Sequence, residues 1–276
     1  MPRGLLYAIF IIVPLLLIVG VPLLLWVPNQ EPQPGTKVLY WALAIIALTI
    51  FAFTLGYRIK NRLLGALIDE RNQMSLSRLQ LIIWTIIVIL GYSTAALWNL
   101  FATDASDPLA VRLPEELWWL LGISTTSFVG APLILNRKKN QEANSTQQHV
   151  NEQRLGEQQG ITPSLINTVG VVPVNETPQQ ARLTDMFMGD EIGNGPFLDL
   201  GKVQLFFFTI IIVLAYGMAL GELFSTTTGA VEEFPALSES ILFLLGISHT
   251  GYLAYKAVPH SDPADRSKYP LSSGWR

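Results

Sequence analysis

Residues 120–124 read Leu-Leu-Gly-Ile-Ser, and residues 244–248 read the same five letters. The match extends in both directions, because residues 75–136 align without a gap on residues 199–260. Earlier in the alignment, identical residues pair as follows: Leu76 with Leu200, Gln80 with Gln204, Thr85 with Thr209, Tyr92 with Tyr216 and Ala95 with Ala219. Each copy holds two long apolar runs, so we expect a duplicated hairpin of two helices.

Long uncharged runs dominate the composition. Half of the residues are apolar, 14% are charged and the mean hydropathy is +0.38, whereas a soluble domain carries about 25% charged residues. Each run approaches the roughly 20 residues that cross a bilayer. The six runs are residues 5–27, 37–57, 79–101, 114–135, 203–224 and 236–256. The sequence therefore predicts an all-α bundle of six transmembrane helices.

Basic residues fix the expected orientation. If the N-terminus is cytoplasmic, all 18 lysine and arginine residues except Lys37 and Arg112 fall in cytoplasmic segments. An excess of basic residues on the cytoplasmic side is the rule for such proteins. We therefore expect both termini in the cytoplasm and a multi-pass protein of the cytoplasmic membrane.

The predicted spans divide the chain into six segments. These are a transmembrane hairpin (1–57), a cytoplasmic interfacial amphipathic helix (58–74), repeat 1 (75–136), a cytoplasmic loop (137–198), repeat 2 (199–260) and a cytoplasmic tail (261–276). The helix at 58–74 has Leu64 and Leu67 on one face, and it could equally be an extension of the second span. The loop is expected to be disordered over Lys138–Gly160, which is rich in Gln, Asn and Glu, and to form a short strand or docking segment within Ile161–Val174.

Two pairs of equivalent polar residues suggest structural roles within the repeats. Ser75 and Asp199 precede the first helix of each repeat, and both residue types are strong helix N-caps. Gln80 and Gln204 lie within a turn of the membrane interface. Parallel repeats are related by a pseudo-two-fold axis along the membrane normal, so these two amides are a candidate polar pair that faces across that axis. The alternative is that each amide contacts lipid headgroups or the backbone.

The second helix of each repeat carries small residues at every fourth position. This spacing lets transmembrane helices approach closely, and it predicts helix packing through Gly122, Thr126, Gly130, Gly246, Thr250 and Ala254. An alternative is a polar pore lining that includes Ser124, Ser248 and His249. His249 is ionisable and lies well inside a span, which makes it a functional candidate, although a neutral histidine also serves as a hydrogen-bond donor.

The acidic part of the long loop is a candidate docking site for a soluble cytoplasmic protein. Its residues are Asp185, Asp190, Glu191 and Asn194. Other chemistry finds little support: without cysteine there is no thiolate or disulfide, and no phosphate-binding glycine loop or zinc spacing occurs. We expect no cofactor, no metal, no nucleic-acid partner and no enzymatic activity.

Five stretches of the chain form a recognisable set: Ser75–Gln80 with Trp84 and Thr85, Leu120–Ser124, Gly189–Glu191, Asp199–Gln204 and Leu244–Ser248. In these stretches the chain resembles a group of uncharacterised bacterial multi-pass membrane proteins. The likeness covers about two thirds of the chain. The resemblance implies a bacterial origin, and it brings no site residues.

Two functions fit these features. We expect a membrane anchor or scaffold that packs through its duplicated hairpins, with the bilayer, a homo-oligomer or membrane complex, and a soluble cytoplasmic protein as partners. The alternative is a passive channel or transporter with a polar path along the pseudo-two-fold axis. A lone intramembrane histidine disfavours an ion-coupled pump, which usually carries paired ionisable groups.

Overall fold

The computed structural model describes residues 12–14, 16, 20, 34–102, 104–160 and 166–262. The predicted first span, residues 5–27, therefore lies outside the described residues except at five positions. Most of the predicted tail, residues 261–276, lies outside them as well.

The described chain is predominantly helical. The long helices are α1 (Pro34–Lys60), α2 (Leu76–Asn99), α3 (Glu115–Lys138), α4 (Ser145–Gln159), α5 (Leu200–Thr226) and α6 (Glu239–Ala257). Four of them, α1, α2, α3 and α5, are long and apolar enough to cross a membrane, which is the composition of an integral membrane protein. Helix α6 is more polar and is not among the four.

Capping side chains start the helices where the sequence predicts. The Ser75 hydroxyl accepts a hydrogen bond from the Arg78 amide at 3.5 Å, and the Asp199 carboxylate accepts one from the Lys202 amide at 3.1 Å. Each bond satisfies an amide that the first helical turn leaves without a partner. The predicted N-cap role of Ser75 and Asp199 is confirmed.

Equivalent helices of the two hairpins pack against each other. Helices α2 and α3 form one hairpin and α5 and α6 the other, while α2 also packs on α5 and α3 on α6. Helix α1 lies against both α2 and α5. The largest fully buried side chains of this bundle include Trp84, Trp98, Tyr40, Tyr216 and Phe224, so aromatic packing fills much of the core.

At one end of the bundle, the connection between α2 and α3 pairs with the connection between α5 and α6 through backbone hydrogen bonds. The Arg112 amide donates to the Glu232 carbonyl at 2.8 Å, and the Phe234 amide donates to the Arg112 carbonyl at 3.0 Å. The ammonium of Lys37, at the start of α1, is buried and donates to the carbonyls of Thr227 and Gly229 at 3.0 and 2.8 Å. We call this the turn end of the bundle.

A folded segment, residues 139–199, lies at the other end, and we call it the platform. It contains α4 and an antiparallel hairpin of β1 (Ile166–Val169) and β2 (Val172–Asn175), in which Ile166 pairs with Asn175 and Val169 with Val172. The strand expected within Ile161–Val174 is therefore present as a hairpin, although residues 161–165 lie outside the described chain.

The expected disorder of Lys138–Gly160 is wrong. Most of it is helix α4, which begins where the Asn144 side chain accepts from the amides of Thr146 and Gln147 at 3.1 Å. It ends at Gly160 in a left-handed conformation, φ 60°. The capping residues and the contacts of Leu155 and Asn151, both buried, outweigh a composition with few apolar groups.

The predicted interfacial helix over 58–74 is also wrong. Helix α1 continues only to Lys60 and stops where Asn61 takes a φ of 52°. A short 3₁₀ turn, Gly65–Leu67, and a loop closed by a bridge between Ile68 and Met74 follow. The apolar residues that suggested a helical face do pack, but Ile68 is buried in the protein and does not lie on a membrane surface.

Gln80 and Gln204 do not pair. The Gln80 amide is fully buried and donates to the Thr209 hydroxyl at 2.6 Å, while Gln204 is exposed. Thr209 lies more than one helical turn beyond Gln204 along α5. The rotation of α2 and α5 about their own axes therefore differs from the one that the alignment suggested.

The predicted small-residue stripe does not face the core. Thr126, Thr250 and Ala254 are exposed, and a Cβ atom at Gly122 would meet nothing within 4 Å. The neighbouring face packs instead, through Ser124, Ser127, Ala131, Ser248, His249 and Tyr252. A Cβ atom added at Gly130 would make only ordinary contacts with Leu253, and one added at Gly246 only ordinary contact with Ile123.

Close backbone approach occurs elsewhere, between α1 and the 3₁₀ turn. A Cβ atom at Gly65 would lie 2.2 Å from the Gly56 carbonyl oxygen. We expect Gly65→Ala to destabilise the detergent-solubilised protein by about 1–3 kcal/mol, because the two backbones must separate. The matched control is Gly122→Ala, which should leave the melting temperature unchanged or slightly higher. Equal losses for the two variants would contradict the assignment.

Candidate functional site: a buried ionic cluster

Asp190 is the centre of an ionic cluster between the platform and the helix ends. Its carboxylate lies 2.9 Å from the Arg71 guanidinium, 2.9 Å from the Lys202 ammonium and 2.7 Å from the Lys256 ammonium. All four side chains are buried. The three cations come from the loop before α2, the first turn of α5 and the last turn of α6, so one carboxylate joins the loop before repeat 1 to both helices of repeat 2.

Further hydrogen bonds hold the cations of the cluster in place. Arg71 also binds the Asp69 carboxylate at 2.9 Å. The Lys202 ammonium donates to the Met188 carbonyl at 2.6 Å, and the Lys256 ammonium donates to the Tyr252 hydroxyl at 3.1 Å. Each buried charge therefore has more than one polar partner, which is the condition under which burial is tolerated.

A second buried ion pair lies beside the first. Lys138, in the last turn of α3, binds Glu191, and its ammonium also donates to the Val258 carbonyl at 2.8 Å. The other oxygen of Glu191 accepts from the His260 amide at 2.9 Å. The adjacent acids Asp190 and Glu191 thus fasten the platform to the ends of α3, α5 and α6.

The electrostatics favour ionised acids at the centre. Burial works to raise the pKa of Asp190, but the charges of Lys202, Lys256 and Arg71 outweigh it and hold that pKa well below its usual range. Burial opposes ionisation of Asp69 as well, and Arg71 lowers its pKa on balance. Because both acids lie on Arg71, the pKa of the guanidinium rises despite its burial.

Asp185 behaves in the opposite way. Burial raises its pKa, and hydrogen bonds from the Arg182 and Met74 amides only partly offset that effect. Both amides bond to one carboxylate oxygen, and the other oxygen is buried without a partner in the described chain. Asp185 therefore carries an uncompensated desolvation cost.

Three of the four residues predicted to dock a soluble partner are buried, and the fourth, Asn194, is half-buried. Asp185, Asp190 and Glu191 are buried, and the Asn194 side chain accepts from the Glu191 amide at 2.9 Å. The acidic composition indicated a polar surface. The cations that pair with these acids, however, come from other segments of the chain, and the pairing takes place inside the protein. The prediction that these residues form an exposed docking site is wrong.

The cations of the cluster were missed by sequence reasoning. Lys138, Lys202 and Lys256 all lie at helix ends, where lysine is expected merely to mark the cytoplasmic boundary of a span. Arg71 lies in a segment taken for a surface helix. The adjacent Asp190 and Glu191 were a usable signal, because two acids beside helix ends rich in lysine favour ion pairs.

The polar residues of α3 and α6 form a small buried contact within the bundle. The Ser127 hydroxyl lies 2.5 Å from Nδ1 of His249, and both side chains are buried. Ser124 and Ser248 are buried nearby, and the Ser124 hydroxyl has no partner in the described chain. Among the described residues, no group of three His, Asp or Glu side chains could hold a metal ion.

The stability contribution of Asp190 is testable against that of Asp185. We expect Asp190→Asn to destabilise the solubilised protein by about 3–5 kcal/mol, because it leaves three buried cations short of a counter-charge. Asp185→Asn should leave stability unchanged or raised at pH 7, since the amide oxygen still accepts from Met74 and Arg182 and no buried charge remains. Thermal unfolding in detergent measures both. A larger loss for Asp185→Asn would contradict this account.

The same acids set the expected pH dependence. Because the pKa of Asp190 is lower in the folded protein, its contribution is present above the unfolded value of about 3.9 and is lost as pH falls through the folded value. The raised pKa of Asp185 acts oppositely, adding stability as pH falls through its folded value. Unfolding measured between pH 7 and pH 3 should therefore show an acid loss that Asp190→Asn diminishes and Asp185→Asn does not.

The chain matches no family model, no curated protein and no solved structure. The resemblance to bacterial multi-pass membrane proteins stays a prediction. Conclusions about function therefore rest on the geometry of the helices, the platform and the ionic cluster.

Proposed function

We propose that this protein is a non-enzymatic integral membrane anchor that holds the folded platform, residues 139–199, at a fixed position against its helices. The buried ionic cluster carries the proposal. A linker between two spans needs no such fastening, whereas Asp190 and Glu191 join the platform to three helix ends through charges that are costly to bury.

Hydrogen bonds outside the cluster support a rigid attachment. The Arg62 guanidinium, beyond the end of α1, donates to the carbonyls of Gln179 and Ala181 at 2.7 and 2.9 Å. Asn72 and Asn175 exchange side-chain bonds with each other's backbone carbonyls at 3.0 and 2.8 Å. The platform is therefore held by the segment between α1 and α2 as well as by the later helices.

The charge distribution supports a cytoplasmic platform. The described basic residues other than Lys37 and Arg112 lie at the platform end or in the platform itself, while those two lie at the turn end. The positive-inside rule then places the platform in the cytoplasm. We extend this to six transmembrane helices with cytoplasmic termini in a bacterial inner membrane, and the like-against-like packing of the hairpins supports a pseudo-two-fold axis.

The outer face of α4 is the part of the platform best placed to recruit a soluble protein. It exposes His149, Val150, Gln153, Arg154 and Glu157. Val150 is 44% exposed although apolar, and mixed charges surround it. An apolar residue within a polar rim is typical of the centre of a modest protein interface.

The packed interior favours an anchor over a channel. Gln80, Trp84, Leu205, Thr209 and Leu245 are essentially fully buried where the four helices of the hairpins meet. The hydroxyl and imidazole groups considered as a pore lining, those of Ser124, Ser248 and His249, are buried in helix contacts as well. Water-filled conduction paths instead need polar groups that face an open lumen.

Partner recruitment can be tested by site-specific photo-crosslinking in cells. A photoreactive residue at Val150 should form an adduct with a soluble protein, because this side chain is exposed on the platform surface. The matched control is Leu214, which is 61% exposed in the middle of α5 and should contact lipid. The test requires that Val150→Glu, with an unchanged melting temperature, also reduces copurification of the same protein.

The opposite outcome is equally defined. If Val150 forms no adduct at native expression, or if Leu214 captures the same soluble protein, recruitment through α4 is wrong. The rigid attachment of the platform would still stand, because the Asp190→Asn comparison tests it separately.

A flux measurement tests the anchor against the channel. Purified protein in liposomes should release trapped ions no faster than empty liposomes, and His249→Ala should not change the rate. Wild-type flux that His249→Ala alters would favour a path beside α6 and overturn the non-conducting anchor.

A further inference from the structure

A narrow crevice opens at the platform end between the start of α2 and the end of α3. One wall, formed by α3, is apolar and includes Phe128, Pro132 and Leu135, and the rim carries Arg78 from α2 and Lys139 from the end of α3. The cavity is small, about 30 Å³, which is room for about two water molecules. A lipid headgroup would therefore lie across its opening, against the basic rim, rather than inside it.

The rim has a surplus of positive charge. Arg71 and Lys256 also line the crevice, but Asp69 and Asp190 already neutralise them. The Lys139 ammonium has no ion pair within the described chain.

Arg78 is similarly available. It faces the Glu70 carboxylate at 3.9 Å, and that carboxylate is 67% exposed, so the pair is weak in water. Two cations of the rim thus lack a firm counter-charge.

The position of the crevice matches the depth of a lipid headgroup. Arg78 lies in the first turn of α2 and Lys139 caps the end of α3, so both stand at the boundary of helices long enough to cross a bilayer. The Phe128 ring lies 6.0 Å from the Arg78 guanidinium. A ligand with an anionic head and an apolar tail can bind the basic rim with its head and pack against the apolar wall with its tail.

The equivalent position in the second repeat is already occupied. Lys202 aligns with Arg78, but its ammonium binds Asp190 and the Met188 carbonyl and is buried. The crevice beside α5 is lined by Phe187, Phe197 and Phe206 instead. Only the first repeat therefore offers a basic rim in the described chain.

We propose that the crevice between α2 and α3 binds an anionic phospholipid, with its phosphate against Arg78 and Lys139 and an acyl chain along Phe128, Pro132 and Leu135. Membrane insertion is the sole requirement, so the site is independent of partner recruitment by the platform. The bound phosphate competes with Glu70 for Arg78, which gives the proposal a residue whose removal should strengthen binding.

Native mass spectrometry of the solubilised full chain tests the site, with phosphatidylglycerol and phosphatidylcholine as probes. A cation near a membrane surface contributes about 1 kcal/mol, so Arg78→Gln and Lys139→Gln should each weaken phosphatidylglycerol binding about fivefold. Glu70→Gln should strengthen it. The matched control, Arg137→Gln, removes an exposed cation of α3 that does not line the crevice and should change nothing. Phosphatidylcholine, whose headgroup has no net charge, should bind weakly to every variant.

Two results would overturn the proposal. If Arg137→Gln weakens binding as much as Arg78→Gln, the lipid is attracted by overall charge and no site exists. If millimolar inorganic phosphate displaces phosphatidylglycerol completely, the rim binds a free anion and the apolar wall plays no part. Unchanged melting temperatures of the lipid-free variants, expected because Arg78 and Lys139 lie outside the ionic cluster, keep the comparison interpretable.

Discussion

The burial of Asp190 among three cations is the constraint on which the rest of the structure depends. Taking four charged groups out of water is costly, and only close mutual contact offsets that cost. Arg71, Lys202 and Lys256 come from three separate elements. The helix ends therefore have to meet at one point, and the platform segment that carries Asp190 has to fold against them.

Buried lysines join separate elements at both ends of the bundle, and their hydrogen-bond and ion-pair partners differ between the two ends. At the platform end, Lys138 binds the Glu191 carboxylate and the Val258 carbonyl. At the turn end, Lys37 donates to the carbonyls of Thr227 and Gly229 and so joins the start of α1 to the connection after α5. Carbonyls left over at helix ends and in turns are suitable acceptors, because helix formation leaves them without partners.

The apolar surface of the protein divides by depth in a way that fits this arrangement. Exposed large apolar side chains cover the outer faces of the long helices, including Leu43, Ile89, Leu133, Ile211 and Leu214. In a membrane these faces contact lipid tails, so they need no protein partner. Polar and charged side chains concentrate at the two ends, where the ion pairs, the pairing of the connections and the basic crevice all lie.

Local signals were enough to locate the helices and their beginnings. Ser75 and Asp199 were predicted as caps because an N-cap depends on a few neighbouring residues, and the apolar runs located five of the long helices to within about three residues. The same local reasoning failed over Lys138–Gly160 and 58–74, where composition and periodicity suggested disorder and an interfacial helix. There, contacts with distant parts of the chain, such as Ile68 in the core and Asn151 on the Ile192 carbonyl at 2.7 Å, decide the structure.

The sequence by itself determined that this chain forms apolar helices in two similar hairpins with most basic residues at one end. It could not determine which helix faces meet, because rotation about a helix axis is set by the packing of the neighbours. Gln80 meets Thr209 rather than Gln204, and Ser127 with His249 faces inward where Gly122 and Thr126 were expected. Only the tertiary structure turned Asp190 and Glu191 from a surface feature into the buried attachment of the platform, since their counter-charges lie far away along the chain.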